Sequence, residues 1–289
     1  MTPIRPPALA LALVILRSPP ARVLLLGYAL LLLMTLSADV MTIHAGEPRK
    51  AALHVLALAI AGFAVYLGHA RFIEQRAATD MAVPGMGREF GAGLLIGAGL
   101  YAACEGVLMA LGIYRIDGLN PLSALVPAIA MALSSSVFEE LLFRGVLFAS
   151  VERWLGSWAA LVVSSLVFGL THLLNAEGTL KGALFIAVEA GVLLGAAYML
   201  TRRLWLGIGF HMAWNYTQSA IFSGIVSGNA PQEGLIRSTV NGPDWLTGGS
   251  FGVEASVTAL VLCTATGVVM LVMAVKRGRV VPPRWRRVG

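Results

Sequence analysis

Long apolar stretches separated by short polar connections run through the chain, at about 21–39, 51–70, 90–112, 122–150, 157–175, 182–200, 204–223 and 255–275. Runs of this length exceed an ordinary strand. In lipid, only helices or closed barrels satisfy their own backbone polar groups, so all eight stretches are expected as helices. The one long connection, 224–254, is rich in Gly, Ser, Asn and Pro and reads as an extramembrane loop. No repeat of solenoid length and no second domain is evident. The pattern predicts an all-α polytopic membrane protein of about eight transmembrane helices. Residues 1–20 would form an N-terminal interfacial segment, 21–275 the membrane domain with a chemical core at 122–223, and 276–289 a basic tail. At the N-terminus, Arg5 followed by an apolar run resembles a signal peptide. However, Arg17, Pro19 and Pro20 follow it without a small-x-small cleavage site, which favours the interfacial reading.

Composition agrees with the pattern. Hydrophobic residues make up 57% of the 289 positions and charged ones 12%, with a mean hydropathy of +0.80. An ordinary soluble domain carries about 25% charged residues. A soluble enzyme with a tail anchor, a disordered chain and a disulfide scaffold are thereby excluded. The two cysteines, Cys104 and Cys263, both lie inside apolar stretches. The net charge of +6 owes much to the C-terminal run Lys276, Arg277, Arg279, Arg284, Arg286 and Arg287. Directly after an apolar stretch, such a run reads as a topology signal or an anionic-lipid contact, and not as a nucleic-acid site. Lys and Arg number 15 on the side of the two termini and 5 on the other. The positive-inside rule then puts both termini in the cytoplasm, in an inner or plasma membrane.

The informative positions are the charges inside apolar stretches, each of which costs several kcal/mol and is a functional candidate by default. The fourth stretch carries Glu139, Glu140 and Arg144. At a spacing of four, Glu140 and Arg144 face the same way and can pair. Glu139 is turned about 100° away from Glu140 by the helical period. The fifth stretch carries Phe168 and His172, and the seventh carries His211 and Asn215 one turn apart on one face. If the chain turns near Gly156, Glu139 lies 17 residues before the turn and His172 lies 16 after it. Both would then sit roughly 25 Å along their helices from the same end. Glu139, His172, His211 and Asn215 are therefore expected to converge in mid-membrane.

These residues also carry a resemblance. Glu139-Glu140-Leu-Leu-Phe-Arg144 resembles an EExxxR motif, Phe168-Gly-Leu-Thr-His172 resembles FxxxH, and His211-Met-Ala-Trp-Asn215 resembles HxxxN. In this order on successive membrane helices, they are similar to the CAAX-protease and bacteriocin-processing (CPBP, or Abi) family of intramembrane proteases, which includes the type II CAAX prenyl endopeptidases. The resemblance implies an eight-helix fold and hydrolysis of a peptide or protein substrate that reaches the site within the bilayer. It implies that Glu139 activates water, His172 helps to hold it, His211 and Asn215 stabilise the oxyanion, and Glu140 and Arg144 orient the site.

The chemistry is consistent with those roles, because peptide hydrolysis needs a base for water and donors aimed at the developing oxyanion. A carboxylate in low dielectric beside a second carboxylate is expected to be a better base than an exposed one. Phe168 would line the cavity. Glu139, His172 and His211 would also compose a His₂Glu zinc set with an open fourth position. The reading favours the metal-free glutamate mechanism and commits to no cofactor.

A second reading is a non-enzymatic scaffold or bacteriocin-immunity-type protein that uses the same residues for helix packing. A third, a proton-coupled transporter, is weakened by the lack of an inverted repeat. Glu105 and Glu189 are intramembrane carboxylates outside the motifs, expected to be protonated, to hydrogen-bond across helices or to support Arg144. Trp214 could line the cavity, and the Gly-rich segment ending at Glu254 could cap it or merely connect.

Overall fold

A computed structural model describes residue 11 and residues 14–286. The interfacial segment expected at 1–20 and the last residues of the basic tail lie largely outside the described residues. Nine helices organise the rest: α1 (Pro19–Ile43), α2 (Pro48–Gly68), α3 (Met86–Ala110), α4 (Pro127–Glu139), α5 (Ala149–Thr171), α6 (Leu180–Ile186), α7 (Val192–Thr201), α8 (Trp205–Tyr216) and α9 (Val257–Lys276). Their starts follow local chemistry. Ser18, Thr179 and Ser256 cap α1, α6 and α9, each hydroxyl accepting from the amide three residues on. Prolines open α1, α2 and α4, where a missing amide proton costs nothing.

All eight apolar stretches are helical, yet six helices are long and apolar enough to cross a membrane: Pro19–Ile43, Pro48–Ile73, Met86–Ala110, Leu122–Leu174, Leu180–Thr201 and Val257–Lys276. They make this an integral membrane protein. Two features explain the smaller count. The run Leu122–Leu174 has 53 residues and contains both the fourth and the fifth stretch. Straight, it would extend ~80 Å, more than twice the ~30 Å hydrocarbon core, so it has to turn. It turns at Gly156, whose φ of 81° and ψ of 172° interrupt α5. A Cβ there would lie 2.8 Å from the Val281 carbonyl oxygen, because residues 281–283 pass against the turn. The seventh stretch is α8 with a five-residue π-helical continuation, Thr217–Ile221, and is shorter than the other spans.

The all-α expectation has one exception. Strands β1 (Tyr114–Leu119) and β2 (Ile236–Val240) form an antiparallel ribbon, with Tyr114 opposite Val240 and a bulge between Ile116 and Gly118. The reason lies in how the helices before the strands pack. Gly93 and Gly97 of α3 face Leu206 and Phe210 of α8, and Gly209 faces Phe90, so both chains run the same way. Parallel neighbours bring the segments that follow them to one end, where β1 and β2 meet.

Among the described residues, four segments wind as π-helix: His69–Ile73, Glu140–Phe148, Ala187–Gly191 and Thr217–Ile221. Each contains a buried ionisable or amide side chain: His69, the Glu140 and Arg144 pair, Glu189 and Gln218. The regular α geometry expected for the fourth stretch is thus replaced by π winding at its charged residues, a device common at functional sites. The Glu140–Phe148 segment is tied down from outside. The buried Arg22 guanidinium donates to the Gly145 carbonyl at 2.7 Å and to the Tyr66 hydroxyl at 3.0 Å, and it pairs with Glu74 at 3.2 Å.

Burial is uneven. The helical run Leu180–Thr201 has 72% of its apolar window inside the protein, against 17% for Pro19–Ile43. The former is therefore the central rod, and the latter presents leucines such as Leu24, Leu31 and Leu32 outward, as a lipid-facing helix does.

The α3–α8 contact rests on small residues. A Cβ at Gly97 would stand 2.3 Å from the Phe210 carbonyl oxygen, which is rigid backbone. Gly97→Ala should therefore force α3 from α8 and cost about 1–3 kcal/mol. Gly99→Ala, with nothing within 4 Å of its Cβ position, should be neutral. Thermal melts of the two purified variants in detergent compare them directly.

Candidate active site

Glu139 ends α4, and Glu140 and Arg144 occupy the π-helical segment that follows. Arg144 Nη1 donates to Glu140 Oε1 at 2.8 Å, and both side chains are 1% exposed. Burial at this level removes hydration worth several kcal/mol per ion, which only close pairing and further hydrogen bonds recover. Arg144 obtains those elsewhere. Its Nη2 donates to the carbonyls of Ala190 and Gly191, each at 3.3 Å, and its guanidinium lies over the Phe168 ring at 4.5 Å. Phe168 is therefore a cation–π platform as well as a wall of the cavity. One arginine thus joins the π-helical segment to the central rod and to α5.

Glu140 also reaches α8. His211 Nδ1 donates to Glu140 Oε1 at 3.3 Å, which leaves Nε2 free on the other side of the ring. That Nε2 lies 3.9 Å from Glu139 Oε2. Glu139 Oε2 is buried with no hydrogen-bond partner among the described residues, although the side chain as a whole is 12% exposed. The two adjacent carboxylates are divided between tasks. Glu140 is held by Arg144 and His211, whereas Glu139 keeps an open oxygen facing the same imidazole.

His172 follows the end of α5, where its Nδ1 donates to the Phe168 carbonyl at 2.8 Å. Nε2 is then its accepting nitrogen. Asn215, four residues after His211, donates from Nδ2 to the Ser135 hydroxyl at 2.9 Å. Phe168, His172, His211 and Asn215 all line one cavity of ≈ 20 Å³, beside Glu189, Trp214, Ser227, Glu254 and Cys263. A space of that size holds about one water. Glu139 is not among the lining residues; its link to the cavity is the His211 ring. Glu139, His172 and His211 do not gather as a three-ligand set. Among the described residues, no three His, Cys, Asp or Glu side chains are placed to hold a metal ion. The residues present therefore do not fit the His₂Glu zinc arrangement.

Sequence reasoning missed two parts of this site. Ser135, one turn before Glu139, fixes the Asn215 amide. Glu254, at the far end of the long loop, accepts from Trp214 Nε1 at 2.9 Å and from the Ser227 amide and hydroxyl at 2.6 and 2.8 Å. It pins the loop against the cavity, so this segment caps and does not merely connect. A carboxylate in a Gly-rich loop that precedes an apolar helix was the available signal. The cross-helix donor expected for Glu105 is replaced by one on its own helix: Oε1 accepts from Tyr101, four residues earlier, at 2.8 Å, and Oε2 has no partner among the described residues.

Because Arg144 and His211 are the basic partners of Glu140 among the described residues, Arg144→Ala would strand a buried carboxylate. It is expected to cost about 3–5 kcal/mol, and the Glu140→Leu/Arg144→Met double variant less than that. Melting of the purified variants measures both.

Comparison with curated proteins and with solved structures gives no match. Residues 121–217, about a third of the chain, match the family described as Type II CAAX prenyl endopeptidase Rce1-like. That stretch contains Ser135, Glu139, Glu140, Arg144, Phe168, His172, His211 and Asn215, and stops short of the Glu254 loop. Over these residues the chain carries a domain of the Rce1-like type II CAAX prenyl endopeptidase family.

Proposed function

We propose that the protein is an intramembrane endopeptidase that hydrolyses a peptide bond of a membrane-associated substrate, with Glu139 as the base. The observation that carries this reading is the position of His211 between two carboxylates, 3.3 Å from a paired one and 3.9 Å from an unpaired one. A polar separation beyond hydrogen-bond length, with an unsatisfied oxygen on one side, is where a bridging water is accommodated.

The steps follow from the donors and acceptors. Glu139 removes a proton from water that enters between its Oε2 and the His211 ring, and His172 Nε2, on the cavity side of that ring, accepts the second hydrogen bond once the site opens to substrate. The oxygen attacks the peptide carbonyl carbon, and the C=O π electrons move to oxygen. Protonated His211, its Nδ1–H held by Glu140, then presents Nε2–H to that oxyanion, joined by the Asn215 amide. Collapse expels the amine, which takes the proton from Glu139. The Glu140–Arg144 pair holds the ring's orientation and stabilises the imidazolium, much as a buried aspartate does in a serine-protease triad. No step requires a cofactor.

The family description and the position of the site in helical spans support a substrate that arrives through the bilayer, such as a protein ending in a prenylated CAAX sequence. The charge asymmetry, 15 Lys and Arg against 5, supports cytoplasmic termini.

A fluorogenic peptide ending in a farnesylated CAAX sequence, offered to the purified protein in detergent, tests the proposal. The wild type should cleave it. Glu139→Ala, His172→Ala and His211→Ala should each lose about 10²-fold or more in kcat/KM. Each should insert and purify as the wild type does. Undiminished cleavage by all three variants would refute the mechanism.

A further inference from the structure

Glu105, Glu189 and Glu254, carboxyls outside the sequence motifs, are buried at 1–3% exposure. Two have donors within the protein. Glu105 Oε1 receives the Tyr101 hydroxyl, but its Oε2 has no partner among the described residues and it does not line the cavity. Glu254 receives Trp214 and both donors of Ser227. Glu189 differs. Its Oε2 is buried without a hydrogen-bond partner among the described residues, and its side chain lines the same cavity as His172, His211 and Asn215. Arg144 meets the same turn only at its backbone, donating to the carbonyls of the next two residues, Ala190 and Gly191. Arg144 thus holds the π-helical turn that carries Glu189 without satisfying its carboxyl.

An unsatisfied buried acceptor destabilises the fold, and an apolar residue of similar size would avoid that cost. A carboxyl kept at such a place, on a turn of the winding that marks functional sites, is suited to a donor that arrives from outside. A peptide drawn from the bilayer brings one when it parts the helices around the cavity, which when closed holds about one water. To be cut it has to be extended at the scissile bond, which frees backbone N–H groups that lipid cannot satisfy.

We infer that Glu189 is a substrate-positioning residue whose carboxyl accepts a hydrogen bond from a backbone N–H of the peptide beside the scissile bond. This rests on the endopeptidase reading above, and it adds the group that holds the peptide main chain in register with His211 and Asn215.

The test pairs Glu189→Leu with ester-for-amide substitutions in the farnesylated fluorogenic peptide, one at a time at the residues flanking the scissile bond. Glu189→Leu should melt at or above the wild-type temperature, since it removes an unpaired buried polar group. It should also raise KM about tenfold, by the size of one such hydrogen bond, with kcat within about twofold. One ester position should cost the wild type about tenfold and cost Glu189→Leu nothing, because the partner is already gone. A lower melting temperature with KM unchanged, additive effects of ester and variant, or no costly ester position in the wild type would each overturn the inference. If the wild type does not cleave the peptide, the endopeptidase reading fails by itself. Fluorescence anisotropy of the uncut peptide then decides about Glu189: binding lost in Glu189→Leu upholds the contact, and equal signals from the two proteins remove it.

Discussion

The structure around the site depends on a charged pair placed where charge is expensive. Glu140 and Arg144 are both 1% exposed and 2.8 Å apart. In such surroundings an ion pair roughly breaks even only when its remaining donors and acceptors are also used. That requirement organises the neighbourhood. Arg144 draws the carbonyls of Ala190 and Gly191 and the face of Phe168 to itself, and Glu140 draws the Nδ1–H of His211. The central rod, α5 and α8 are thereby fastened to one point. The other residues of the site are carried by elements that this pair holds.

The π winding belongs to the same logic. Widening the helix from Glu140 to Phe148 shifts the register of its backbone hydrogen bonds. A buried arginine from α1, Arg22, donates to the Gly145 carbonyl within that segment. The helix most exposed to lipid thus contributes to the geometry of the most buried segment. The same segment sets Glu139 apart from Glu140: one carboxylate is spent on structure, and the neighbouring one keeps an oxygen open. Two identical side chains acquire different chemistry through the partners that packing gives them.

Close helix approach provides the second constraint. Gly93, Gly97 and Gly209 let α3 and α8 meet backbone to backbone, without room for a Cβ. In a membrane, association draws on such van der Waals contact, because lipid offers no hydrophobic drive between helices. The contact sets the depth of α8, and with it the height of His211 and Asn215 relative to the carboxylates. It also brings the connections after α3 and α8 together as a ribbon, and the loop that follows the ribbon returns Glu254 to the cavity.

Much of this was legible in the chain itself. Apolar runs of membrane length can be helical only, and the i, i+4 spacings of Glu140 with Arg144 and of His211 with Asn215 place each pair on one face, because helical periodicity is a local property. The ordered motifs from Glu139 to Asn215 likewise depend on identity and spacing alone. Other features were decided in three dimensions. That His211 turns Nδ1 to the paired Glu140 and Nε2 towards Glu139 depended on rotamers and on π winding, which arise from packing across helices. The number of spans depended on a turn at Gly156 inside a single 53-residue run. That Glu254 has four donors or close partners in Trp214, Ser227 and Gln218, while Glu189 at equal depth keeps an oxygen without any, is not written in either residue's neighbours along the chain. A side chain's donors in a membrane come mainly from other helices and loops, and only the assembled bundle determines which of them arrive.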